Sequence, residues 1–322
     1  MKSVKRQDGE IDFVIIALYV DDILLFSNNS EMLKREKLAL AKRFDVEDLR
    51  ILSISQTKYL EGILKKFNMD KCKPVSTPLE VGRKFESLSE DDKPVYAKLF
   101  QMAIGCLTYA ATISRSDLAA AVGVLSKFMA KPGKEHWQGI KRILRYVQGT
   151  LNYGLVFSTE GTDPTLTGYS DADWGGDLRT RRSTTGYVFQ IQGSTVSWCS
   201  KREACVSRSS TEAEYIALST ACEEGVWSRR LLSDIQIKQN GPSTVFEDNQ
   251  GAYELSKNPK FHNRTKHIDV SYHYVREQVN LNIISVKYCP TEDMIADVMT
   301  KGLSKTVFEK FRNKLGVLEI KD

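Results

Sequence analysis

Residues 166–174 read Leu166-Thr167-Gly168-Tyr169-Ser170-Asp171-Ala172-Asp173-Trp174, an apolar, β-type run that closes on acidic residues. Further β-type runs at 185–191 and 195–200 carry Gly and Ser punctuation, the texture of short strands joined by turns. A long helix is predicted over 210–234 and a strand over 244–247. Helices at 249–257 and 267–279 precede a strand at 283–288, and 292–300 reads as a last helical turn or two. Three strands, helix, strand, helix, strand, helix is an α/β layout. Asp171 is expected to end the first strand and Asp248 the fourth.

Upstream the texture differs. Residues 11–27 form two β-rich runs around the short acidic turn Tyr19-Val20-Asp21-Asp22, which predicts a buried hairpin. Helical spacing of Leu33, Leu38, Leu40 and Phe44 marks 30–44, and a shorter helix is expected over 56–68. From 91 to 147 the pattern is strongly helical. Pro94 can open the first helix, Asp117 suits an N-cap for 118–129, and Pro132-Gly133 separates that segment from 135–147. The expected division is therefore 1–158, mainly helical behind a hairpin, and 159–322, α/β.

A chain of 322 residues also suggests two domains. With 41% hydrophobic and 27% charged residues, it is neither disordered nor collagen-like nor repeat-dominated. Six cysteines at 72, 106, 199, 205, 222 and 289 include no CxxC pair, which argues against zinc and a disulfide framework and for reduced thiols. The charged start lacks a signal-peptide core, and the apolar run 13–20 is too short to span a bilayer. A soluble protein without membrane association is expected.

Four acids of the second half stand out. Asp171 and Asp248 sit at predicted strand ends, Glu214 lies within the helix beginning Ser210-Thr211-Glu212-Ala213-Glu214, and Asp297 has small and apolar neighbours. In open α/β sheets, ligands bind beyond the carboxyl ends of strands, where such acids converge. Converging carboxylates repel one another unless cations neutralise them. Hard oxygen ligands without His or Cys pairs point to two Mg²⁺ or Mn²⁺ ions. Such a pair, roughly 3.5–4 Å apart, supports phosphodiester hydrolysis. Strand-end acids also serve as caps and turn formers, and on the residues alone the two readings stand level. Asp173 shares a strand face with Asp171, whereas Glu212 should point away from Glu214.

Residues 166–301 resemble the ribonuclease H domain of copia-type LTR retrotransposons. The resemblance runs through Gly168-Tyr169-Ser170-Asp171-Ala172-Asp173-Trp174, Arg182-Ser183-Thr184-Thr185-Gly186-Tyr187 and Ser209-Ser210-Thr211-Glu212-Ala213-Glu214-Tyr215. It continues through Glu247-Asp248-Asn249, Arg264-Thr265-Lys266-His267-Ile268 and Ala296-Asp297-Val298-Met299-Thr300-Lys301. It implies a ribonuclease H-like fold, a mixed sheet flanked by helices, cleaving the RNA strand of RNA–DNA hybrids. Carried over by motif, Asp171, Glu214, Asp248 and Asp297 are the metal-binding catalytic acids. Many ribonucleases H place a His shortly before the last acid. This chain has Tyr288-Cys289-Pro290-Thr291-Glu292-Asp293 instead. For His262, His267 and His273, packing or capping is the preferred expectation.

Tyr19-Val20-Asp21-Asp22 resembles the palm hairpin of reverse transcriptases, where two carboxylates meet catalytic Mg²⁺. With Ser76-Thr77-Pro78-Leu79, Gly105-Cys106-Leu107-Thr108-Tyr109 and Lys131-Pro132-Gly133-Lys134-Glu135-His136-Trp137, the first half resembles the C-terminal part of a copia-type polymerase, thumb and connection included. Such polymerases need another metal-binding Asp from an earlier strand, and eighteen residues precede Tyr19. A segment near Asp48-Leu49 also looks skipped, and Ser116 stands where the family usually has Pro. Asp21 and Asp22 are therefore expected to belong to a polymerase remnant unable to synthesise DNA. A rival expectation is a non-catalytic nucleic-acid-binding relic. Association with other Pol chains, and a cytoplasmic particle or the nucleus as location, follow from the resemblance alone.

The formal net charge of +5 is small, but two stretches each carry a local +5. Residues 118–150 hold Lys127, Lys131, Lys134, Lys141, Arg142 and Arg145 against Glu135. Residues 178–210 hold Arg179, Arg181, Arg182, Lys201, Arg202 and Arg208 against Glu203. These clusters can neutralise phosphates. Lys141, Arg142, Arg145, Arg181 and Arg182 are the expected backbone contacts, and a solvated basic face is the bland alternative. Ser183, Thr184, Ser209 and Ser210 are candidates for 2′-hydroxyl contacts. Trp174 and Trp198 are expected to pack in the core.

Overall fold

The computed structural model describes residues 2–5, 11–19, 22–27, 29–44, 51–87, 95–158, 164–257 and 269–320. It divides into two compact units, residues 1–50 with 228–240, and residues 51–227 with 241–322.

In the first unit, β1 (Lys2–Lys5), β2 (Ile11–Tyr19) and β3 (Asp22–Ser27) form an antiparallel sheet in that order. The predicted hairpin forms, with Tyr19 opposite Asp22, but it is not buried as expected: Phe13 and Val14 are inside, while Ile16 and Leu18 are exposed. Val20 and Asp21 lie outside the described residues, and Asp22 is described by its backbone alone. Helix α1 (Ser30–Ala41) follows. Its N-terminus is capped by Asn29 Oδ1, which accepts the N–H groups of Glu31 and Met32 at 3.0 Å and so satisfies two otherwise orphaned donors.

The chain continues with β4 (Ile51–Ile54), α2 (Thr57–Lys66), α3 (Ala97–Ile113), α4 (Ala119–Ser126) and α5 (Lys134–Gln148). In α5, Ile140, Ile143, Leu144 and Val147 recur at helical spacing and are fully buried, which fixes its inner face. Pro94 lies outside the described residues, and α3 begins at Ala97. Asp117 does not cap α4. It lies in a short 3-10 turn, and its carboxylate accepts Arg115 Nε at 3.0 Å, Arg115 Nη2 at 2.9 Å and the Tyr146 hydroxyl at 2.6 Å. Two charges buried together satisfy each other more completely than either could at a helix end.

After β5 (Tyr153–Ser158) come β6 (Leu166–Asp173), β7 (Thr184–Ile191), β8 (Ser194–Arg202), α6 (Ser210–Asp234) and β9 (Ser243–Glu247). The chain then forms α7 (Gln250–Lys257), α8 (Asp269–Asn280), β10 (Ile284–Tyr288), α9 (Asp297–Thr300), α10 (Lys305–Lys314) and β11 (Val317–Glu319). The main sheet has the order β10-β9-β6-β7-β8. Strands β6, β7 and β8 pair antiparallel, while β6–β9 and β9–β10 pair parallel. An antiparallel meander extended by two parallel strands, with helices against it, is the ribonuclease H-like α/β fold.

A smaller antiparallel sheet, β11-β5-β4, joins the end of the chain to residues 51–54 and 153–158. Packing is continuous across residue 158. One apolar cluster contains Leu60, Leu107, Leu125 and Leu144 together with Val188, Met299, Phe311 and Val317. Helix α4 packs against both β8 and α9. The expected boundary at 158 falls inside this continuously packed unit. All six cysteines are free, and no helix among the described residues is long and apolar enough to cross a membrane.

Candidate active site

Parallel pairing of β6 with β9 brings Asp171 and Asp248 to the same end of the sheet. Asp171 does not end its strand, as the sequence suggested. The strand runs two residues further, to Asp173, because Ala172 and Asp173 keep pairing with Thr185 and Thr184. Asp248 follows the last residue of β9. Glu214 projects from α6, where its Oε2 accepts the Ala172 N–H at 2.8 Å. Carboxylate oxygens of Asp171, Glu214 and Asp248 all lie within 4.8 Å of one another.

Supporting contacts hold each acid. The Thr300 hydroxyl donates to Asp171 Oδ2, and the Thr291 hydroxyl donates to Asp248 Oδ2 at 2.6 Å. Fully buried Glu247 accepts Ser170 Oγ at 2.8 Å and the Asn249 N–H at 3.2 Å, which pins the turn that presents Asp248. Asp297 opens α9 and reaches the centre through Lys301. The ammonium lies 2.8 Å from Asp297 Oδ1 and 3.8 Å from Asp171 Oδ1.

Burial, reinforced by the Asp171, Glu247 and Asp248 carboxylates, pushes Glu214 up to about 11. Burial and Asp171 push Asp297 up to about 7 despite Lys301. Burial also raises Asp248, against the Thr291 hydrogen bond, and holds Glu247 well above the carboxylate range. Burial opposes the charge on Lys301, but Asp171 and Asp297 outweigh it and raise the ammonium above its usual value. Burial together with neighbouring carboxylates disfavours the charged forms of Glu214, Asp248 and Asp297, a cost that a cation would relieve. The donors of the cluster are all carboxylate oxygens, which fit a hard divalent ion.

Several expectations resolve differently. Asp173 is half-buried, raised by burial against the pull of Lys127, and stands outside the three-acid cluster. Glu212 does point away, its Oε2 accepting the Arg208 N–H at 2.8 Å. Trp198 packs on the core and donates to Ala111 O at 2.9 Å. Trp174 does not pack inside. It is 55% exposed, held by a 3.2 Å bond from Nε1 to Ser207 O. His262 and His267 lie outside the described residues, and His273 is exposed on α8.

The basic candidates divide as well. Lys141 is exposed on α5. Arg142 bonds Glu80 Oε1 at 2.7 Å and Thr77 Oγ1 at 2.9 Å, and Arg145 Nε donates to Lys73 O at 2.7 Å. These guanidiniums fasten the 73–80 loop to α5 and do not form an open track. Arg181 is exposed and Arg182 half-buried. Ser183 and Thr184 are buried, and the Ser183 hydroxyl accepts the Gly175 N–H at 3.2 Å, so it braces a loop. Ser209 and Ser210 are exposed, with Ser209 Oγ accepting the Glu212 N–H at 3.2 Å. Lys301 and Thr300 were missed as site residues. The available signal was Lys301 standing four residues after Asp297, an i,i+4 pair.

Fold and acidic centre together define a ribonuclease H-like α/β protein. Residues 4–81 match the family described as reverse transcriptase (RNA-dependent DNA polymerase). The chain is 41% identical over 334 residues to the retrovirus-related Pol polyprotein of transposon TNT 1-94 from Nicotiana tabacum, covering 97% of this chain and 25% of the relative. It is 38% identical over 322 residues to that of transposon RE1 from Arabidopsis thaliana, covering 95% and 22%. Among solved structures, LC11-RNase H1, isolated from compost, aligns with 46% of this chain and 97% of its own, at 16% identity and a TM-score of 0.34. The chain belongs to the Pol polyproteins of copia-type retrotransposons, and it spans about a quarter of the length of these two relatives.

Proposed function

We propose that this chain hydrolyses the RNA strand of RNA–DNA hybrids in a divalent-metal-dependent reaction, with Asp171, Glu214, Asp248 and Asp297 as the catalytic acids. The observation that carries the reading is the convergence of Asp171, Glu214 and Asp248 within 4.8 Å at one end of the sheet. Family membership supports it. Reverse-transcribing elements make hybrids, and a phosphodiester is the bond such a carboxylate set is suited to cut.

Mg²⁺ or Mn²⁺, as two ions, would supply activation of the attacking water and stabilisation of the leaving oxygen. The chain itself sets the geometry. Thr300 and Thr291 fix the rotamers of Asp171 and Asp248, and the Ala172 N–H aims Glu214. Preorganised ligands avoid rearrangement during the reaction. Lys301, 41% exposed beside Asp171, offsets acidic charge and faces the approaching phosphate. Arg181, Lys141 and the exposed Ser209 and Ser210 are assigned to the hybrid backbone. The palm-like hairpin with Asp21 and Asp22 receives no separate reaction.

The test is cleavage of an end-labelled hybrid with Mg²⁺, beside single-stranded RNA, duplex DNA and a chelator control. Cutting confined to the RNA strand of the hybrid, and lost in chelator, is expected. No cleavage by folded protein, or equal cleavage of all three substrates, would sink the proposal.

A further inference from the structure

Beside the acidic centre lies a cavity of about 670 Å³ whose lining includes Asp173, Thr300 and Lys301. That size falls within the roughly 300–1,000 Å³ of small-ligand sites and is too small to admit both strands of a duplex. Its lining is of two kinds. Leu79, Val124, Phe128 and Leu178 give apolar wall, while Lys84, Lys127, Arg179 and Lys301 give cations. His136 stacks on Phe128 with centroids 3.9 Å apart, which fixes that ring in place.

Of the lining acids, Asp177 is partly neutralised already. Asp177 Oδ2 lies 3.5 Å from both Lys127 Nζ and Arg202 Nη1, and Oδ1 accepts the Arg179 and Thr180 N–H groups at 3.1 and 2.9 Å. Lys84 and Arg179 are exposed. A purely apolar ligand would leave the exposed Lys84 and Arg179 unused, and a bare anion would leave the aromatic wall unused. A nucleobase with its phosphate uses both.

Resting on the hydrolase reading above, we propose that this cavity takes one unpaired nucleotide flanking the scissile phosphate. The base lies against Val124 and Phe128, and its phosphate faces Lys84, Lys127 and Arg179. Lys301, which borders both the cavity and the acids, marks the passage from one to the other. The protein then favours hybrids that carry a single-stranded flank over blunt ones.

The experiment is fluorescence anisotropy with the full chain carrying Asp248→Asn and Mg²⁺. Two labelled hybrids of equal duplex length are compared, one blunt and one with a short single-stranded extension. The extended hybrid should bind about five-fold tighter or better. Replacing the exposed pair, Lys84→Glu with Arg179→Glu, should erase that preference and leave the blunt affinity nearly unchanged. Lys127→Met, which keeps the aliphatic stem, should weaken the preference in the same direction, with circular dichroism checking both proteins. Equal binding of the two hybrids by the unmodified rim overturns the proposal, as does a preference that survives both changes. Cleavage of the blunt hybrid is scored separately. Cleavage without an extension preference removes the cavity alone, and a preference without cleavage removes the reaction alone.

Discussion

The Lys301 ammonium stands 2.8 Å from Asp297 Oδ1, four residues on along the end of α9. It also lies 3.8 Å from Asp171 Oδ1, so one tethered cation serves acids from two elements. Three carboxylates and Asp297 thus share their site with an internal positive charge. Charge balance in this centre is partly intramolecular.

Replacing that cation should expose the repulsion it relieves. Lys301→Met is expected to lower stability at neutral pH by about 1 kcal/mol, a modest value because the group is 41% exposed. Added Mg²⁺ should restore most of that loss. Urea unfolding with and without Mg²⁺ measures both. A stability loss that Mg²⁺ leaves untouched would mean Lys301 acts by packing.

The raised acids make a signed prediction for pH. Glu214 at about 11 and Asp297 at about 7 lie above the ordinary unfolded values of about 4.3 and 3.9. Between those limits the folded state binds more protons than the unfolded chain, so stability falls as pH rises. In chelator, Tm should drop between about pH 5 and about pH 8.5, and the Mg²⁺-induced gain should grow over the same range, since fewer protons must be displaced. Scanning calorimetry at several pH values decides it. A metal effect largest at about pH 5 would contradict the acid assignment.

Gly186 sits where α9 crosses β7. A Cβ there would lie 2.7 Å from Thr300 Cγ2, 2.8 Å from Met299 Cβ and 3.2 Å from Ala296 O. Gly186→Ala should push α9 outward, taking Thr300 from Asp171 and moving Asp297. Turnover is expected to fall on the order of 10–100-fold, because displacements near 1 Å are that costly. Single-turnover kinetics beside a circular-dichroism spectrum check this, and unchanged turnover would show that α9 placement is not critical.

The buried Arg115–Asp117 pair tests stability away from the chemistry. Both side chains are fully buried and bonded to each other, and Arg115 also donates to Thr150 O at 3.0 Å and Thr150 Oγ1 at 2.7 Å. Removing one partner strands a charge, so Asp117→Asn should cost about 3–5 kcal/mol. Tyr146→Phe, losing one hydrogen bond to the same carboxylate, should cost about 1.5–3 kcal/mol. Denaturant midpoints for the two variants give the order directly.

Much of the α/β layer was legible in the sequence, because strands such as Leu166–Asp173 and Ser243–Glu247 carry their pattern locally. The converging acids were legible because strand ends and motif blocks mark them. What escaped depends on distant partners. Pairing of Val317 with Leu155 joins residues far apart in the chain, and no local period announces it. Arg142 and Arg145 read as an open basic face until Glu80, Thr77 and Lys73 O are seen to engage them. Asp117 read as a cap because its three donors come from Arg115 and from Tyr146 on another helix. Trp174 read as core because an indole normally buries its area, while here the Ser207 carbonyl holds it at the surface.

The most direct test is single-turnover cleavage of an RNA–DNA hybrid by the unmodified chain and by Asp248→Asn, with hybrid affinity measured alongside. Loss of the Asp248 carboxylate should abolish cutting of the RNA strand while hybrid affinity stays within a few-fold. Cleavage at an undiminished rate by Asp248→Asn would contradict the assignment of this acidic centre as the site of hydrolysis.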